Sequence, residues 1–147
     1  MRSKAHFKGE PIHPALVHFP LAFLIGGFFF DLAGVWFEKP GWWEVGAHLS
    51  SIGVVAALLA AVPGFIDYFY TVPRRSRGRK IATRHMVLNL AAVAAFALAR
   101  FLRGDPGVEP EPILIGLEGV GFLLLAVAGK LGGTLVYKLG IGVENEL

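Results

Sequence analysis

Residues 11–20 read PIHPALVHFP and put two histidines, His13 and His18, among three prolines at the mouth of a long apolar run. Imidazole is the commonest protein ligand for metals and holds haem iron in many haem proteins, while ionisable groups inside a bilayer are rare and usually functional. RHMVLN at 84–89 supplies a third histidine, His85, with Asn89 one helical turn later on the same face. Asp67, in GFIDY, and Tyr137, in LVYK, fall at the ends of two further apolar runs. Two histidines on different helices at one depth meet the minimum for a bis-histidine haem, and the core of a helix bundle is where such sites are built. The expectation is that His18 and His85 ligate the iron of a b-type haem, with His13 or His48 available to a second haem. Asn89, Asp67 and Tyr137 would hydrogen-bond the ligands or the propionates. The plainer reading is that these groups sit in the headgroup layer and clasp the helix ends.

A second polar set lies deeper in the runs. Asp31, His48, Arg100 and Glu118 come from four different runs and reach one level, about 7–9 Å inside the other surface by helical rise. An unpaired carboxylate there would cost a few kcal/mol, about 3 on insertion scales, so the four are expected to pair as a buried clasp that sets helix register. A proton or cation route, or a second cofactor site, is the functional alternative.

The elements that must position these groups follow from composition. Hydrophobic residues make up 54% of the 147 and charged residues only 17%, against about 25% in an ordinary soluble domain. The apolar runs predict four spans, at about 14–37, 43–66, 82–102 and 113–137, each near or above the ~20 residues that cross ~30 Å of hydrocarbon. Pro20 removes a donor two residues after His18, so the first helix must bend or restart there. Small residues recur on neighbouring turns, Gly53, Ala57, Ala60 and Gly64 among them, as close helix contact in lipid requires. The fold class is therefore all-α: a single integral-membrane domain, an antiparallel four-helix bundle. No internal repeat is strong enough in the sequence to argue for an inverted-repeat transporter.

Arg2, Lys4, Lys8 and the loop PRRSRGRK at 73–80 concentrate positive charge on one side, which places both termini in the cytoplasm by the positive-inside rule. Trp36, Trp42 and Trp43 then form an outer aromatic belt, and Tyr68, Phe69, Tyr70 and Tyr137 an inner one. The basic loop is topogenic and suits anionic lipid headgroups. Nucleic acid is not an expected partner, because one loop beside a membrane offers no reading surface. The absence of cysteine excludes disulfides, thiolate metal sites and covalent c-type haem within the chain.

HPALVHFP followed by LAFLIGGFFFDL, then GFIDY, RHMVLN and GGTLVYKLGIGV, resembles the bacterial membrane family called domain of unknown function 2231. The resemblance covers nearly the whole chain. It implies four transmembrane helices in a bacterial inner membrane. Relatives joined to Rieske or cytochrome modules make electron transfer the implied context. The positions that carry it are His13, Pro14, His18, Pro20, Asp67, His85, Asn89, Gly132, Gly133 and Tyr137. An electron-transfer or membrane-anchor subunit binding haem b is thus the leading expectation, with membrane lipids and other membrane or redox subunits as partners. The alternatives are a cofactor-free accessory subunit and a metal or proton pathway. No nucleophile–base pair or phosphate loop argues for a stand-alone enzyme.

Overall fold

The computed structural model describes residues 1–143. A short antiparallel hairpin, β1 (His6–Phe7) and β2 (Glu10–Pro11), leads into α1 (Ile12–Leu16) and α2 (His18–Trp36). Then come α3 (Pro40–Tyr70), α4 (Arg77–Arg103), α5 (Pro112–Gly133) and a single π-helical segment, Thr134–Lys138. Counting α1 with α2, and α5 with the π segment, the four helical stretches are long and apolar enough to cross a membrane. Most of their surface is apolar and outward-facing, from Phe29 and Leu59 to Leu98 and Leu123, as lipid allows and water does not.

The boundaries follow local chemistry. The first span is interrupted at Val17, as Pro20 requires: Leu16 loses its intrahelical donor, and α2 restarts at His18. Pro40 and Pro112 occupy first-turn positions, where a missing N–H costs nothing. Ser76 caps α4 by accepting from the Arg79 N–H at 3.0 Å. The second span runs to Tyr70, past the expected 66, because Pro63 is accommodated inside the helix.

Small residues set the packing. A Cβ added at Gly53 would fall 2.7 Å from Leu24, and one at Gly121 2.7 Å from Phe96. Leu24, Ala92, Phe96 and Leu125 form the buried centre of the bundle.

These contacts reveal a repeat that composition conceals. His13, Leu24 and Asp31 on the first span have counterparts 72 positions later, at His85, Phe96 and Arg103. On the second helix of each hairpin the interval is 68: Ser50, Gly53, Ala60 and Gly64 correspond to Glu118, Gly121, Ala128 and Gly132. Equivalent residues make equivalent contacts within each hairpin. They also meet their own counterparts at both ends: His13 lies against His85, and Asp31 pairs with Arg103. Leu24 and Phe96 share the central cluster. Residues that touch their own equivalents mark a two-fold axis. The first and third spans run in the same direction, so the axis lies along the helices and the repeat is parallel rather than inverted.

Candidate functional site

The two polar levels lie at opposite ends of this axis. At the end carrying the termini, His13 and His85 face each other with ring centroids 6.4 Å apart and ring planes at 86°. Each is held by the other helix of its hairpin. His13 Nδ1 donates to the Ala60 carbonyl at 2.8 Å, and His85 Nδ1 donates to the Ala128 carbonyl at 2.8 Å. Because a carbonyl only accepts, Nδ1 is the donor in both rings. Four residues beyond each carbonyl stands a glycine that makes room for the ring. A Cβ at Gly64 would lie 2.9 Å from the His13 ring, and one at Gly132 3.0 Å from the His85 ring. Asn89 is half-buried on the same face as His85. Its Nδ2 donates to the His85 carbonyl at 2.8 Å and lies 3.2 Å from His85 Nε2.

His18, expected opposite His85, is instead exposed, its Nδ1 3.3 Å from the Ala15 carbonyl. The restart at Val17 is the cause, since it turns His13 inward and leaves His18 on the lipid face. Asp67 is not free for a ligand or a propionate. It accepts from Ser3 Oγ at 2.7–2.8 Å, from the Lys4 N–H at 2.9 Å and from Thr71 Oγ1 at 2.6 Å, tying the N-terminal strap to α3. Tyr137 lies in the π-helical segment and is 88% exposed, away from the histidines. It keeps its expected place among the aromatic residues of this end, with the exposed Phe69 and Tyr70.

At the opposite end, Asp31 is paired with Arg103 and not with Arg100. Arg103 Nη1 donates to both Asp31 oxygens at 2.8 and 2.9 Å; Nη2 donates to the carbonyls of Trp43 and Pro106, and Nε to that of Val108. All three guanidinium nitrogens are engaged. Both side chains are almost wholly buried. Arg103 reaches Asp31 because helical side chains lean toward the helix N-terminus, here into the bundle. Arg100 binds Ser51 Oγ at 2.8 Å and the Gly104 carbonyl at 2.7 Å. His48 is exposed, because it falls off the buried stripe of Trp43, Gly46, Ala47, Ser50 and Gly53 on α3. Trp43, expected in the outer belt, is buried and donates to the Gly107 carbonyl at 3.2 Å. Glu118 is buried beside Asp31 as expected, with Ser50 Oγ 3.5 Å from its Oε1.

Among the described residues no group of three or more His, Cys, Asp or Glu side chains could hold a metal ion. The inner pair therefore offers two protein ligands, which suits a cofactor that brings the remaining donors itself. Arg103, Ser50, Gly64 and Gly132 escape a reading based on span depth. The 72-residue interval is the sequence signal that pairs His13 with His85 and Asp31 with Arg103.

Neither a curated protein nor a solved structure matches the chain. The sequence profile described as "Predicted membrane protein (DUF2231)" matches residues 9–145, which takes in both histidines of the inner pair and both partners of the outer ion pair. The chain belongs to this family of membrane proteins.

Proposed function

We propose that the protein is a bacterial inner-membrane electron-transfer or anchor subunit that holds a b-type haem between His13 and His85. The observation that carries this reading is the pair itself: two imidazoles from two hairpins, each with Nδ1 bound to a backbone carbonyl, 6.4 Å apart. Each ring would offer the iron its Nε2, the nitrogen not bound to a carbonyl. The donor set thus fits bis-histidine ligation. Second-side hydrogen bonds from Nδ1 fix the tautomer and the ring direction, as ligating histidines generally require. Asn89 would yield its contact with His85 Nε2 and keep its bond to the His85 carbonyl. Gly64 and Gly132 let the rings seat against the helices behind them. When bound, haem supplies one-electron chemistry; the chain's own part is to fix two imidazoles between its hairpins.

The test is the absorption spectrum of protein purified in mild detergent after haem-replete expression. A Soret band and a sharp α band on dithionite reduction are expected. A featureless spectrum from intact protein would leave the cofactor-free accessory subunit as the reading.

The proposed topology places both termini and the 74–80 loop in the cytoplasm. In this cysteine-free chain, Arg75→Cys is expected to resist impermeant thiol reagents in intact cells, while Glu109→Cys at the other end is labelled. The reverse pattern would invert the orientation.

A further inference from the structure

The outer cluster contains one group more than an ion pair needs. Asp31 and Arg103 already balance, and all three guanidinium nitrogens of Arg103 are engaged by other groups. Glu118 is only 4% exposed, yet its Oε2 has no partner and its Oε1 has only Ser50 at 3.5 Å. Its neighbour is another carboxyl, Asp31. A buried carboxylate with one long hydrogen bond beside a second carboxylate would be strongly unfavourable. A carboxylic acid there is well placed, since its O–H can donate to Asp31, whose oxygens keep spare lone pairs. The repeat sharpens the point. Glu118 stands where the first hairpin has Ser50, so the second hairpin carries a titratable group at a position where the first carries a hydroxyl.

We propose that Glu118 and Asp31 form a proton-binding site inside the bundle, at the end opposite the histidine pair, with one exchangeable proton carried on Glu118 and donated to Asp31. The groups facing it are Asp31 from α2, Ser50 from α3, Arg103 and the more distant Arg100 from α4, and Glu118 itself from α5. Arg103 is bonded to Asp31 and balances that charge, which leaves a place for one proton on Glu118. A recess of about 310 Å³ lined by Arg103, Glu109, Glu111 and Leu114 adjoins the cluster on the Arg103 side. The site stands on this geometry and is independent of whether haem is bound.

Infrared spectra of the full chain in lipid vesicles at pH 7 test it. The expected result is a protonated-carboxyl C=O band that shifts down when H2O is replaced by D2O and shifts down again when the protein is made with 13C-glutamate. Glu118→Gln, nearly isosteric, removes the band, and Glu111→Gln at the exposed rim keeps it. If Glu118→Gln fails to fold, the 13C shift of the wild-type band still assigns the proton to a glutamate. Absence of the band at pH 7, a band blind to D2O, a band blind to 13C-glutamate, or one that persists in folded Glu118→Gln would overturn the proposal.

Discussion

Arg103→Leu is expected to be the most damaging single substitution in the chain, destabilising the bundle by about 3–5 kcal/mol. It strands the buried Asp31 carboxylate, whose two oxygens both accept from Nη1. It also frees the carbonyls of Trp43, Pro106 and Val108, so the loop between α4 and α5 loses one of its ties to α3. Arg103→Lys keeps a charge but not the five-donor fork, and is expected to recover only part of the loss. Adding Asp31→Asn to Arg103→Leu removes the stranded charge and should restore a substantial share of the stability. Equilibrium unfolding in mixed detergent micelles measures all three. Arg100→Leu is the contrast: it gives up a hydroxyl and an exposed carbonyl, and about 1 kcal/mol is expected. Equal losses for the two arginines would mean that Asp31 is paired otherwise.

The second large effect concerns backbone approach. At Gly46 a Cβ would lie 2.7 Å from Asp31 Cγ and 2.9 Å from the Gly27 carbonyl oxygen. The carboxyl cannot move aside without leaving Arg103, and the Gly27 backbone cannot move without parting α2 from α3. Gly46→Ala is therefore expected to cost about 1–3 kcal/mol, the range for overpacking a tight core. Gly116→Ala and Gly129→Ala meet nothing within 4 Å, and are expected to be neutral or slightly stabilising, since alanine is the better helix former. Thermal unfolding of the three variants separates close packing from mere helix propensity.

Much of the fold is legible in the sequence because bilayer spans announce themselves by length and hydropathy. The four helices, the restart near Pro20 and the inward placement of His85, Asn89, Asp31 and Glu118 all follow from local rules. What depth and periodicity miss is rotation. His13 and His18 are five residues apart across a helix break, and no helical wheel drawn through Val17 tells which one turns inward. Arg100 and Arg103 lie on adjacent turns, and the choice between them depends on how far a guanidinium reaches back along its helix. His48 sits at the right depth but on the wrong face of α3. Asp67 is claimed by Ser3 and Lys4, more than sixty positions away, a long-range contact no local pattern encodes. The repeat was present throughout, but identical residues such as His13 and His85 or Gly64 and Gly132 alternate with positions that share only a role. Leucine answers phenylalanine, and aspartate answers arginine, so it becomes visible only once the contacts are known.

The claim that most needs testing is that the functional pair is His13 with His85, seated on Gly64 and Gly132, and that His18 stands outside it. Reduced-minus-oxidised spectra of three variants purified side by side address this directly. His13→Ala and His85→Ala are expected to lose the haem signal, and His18→Ala to keep the wild-type spectrum and haem content. Retention of the signal in folded His13→Ala, or its loss in folded His18→Ala, would contradict the account.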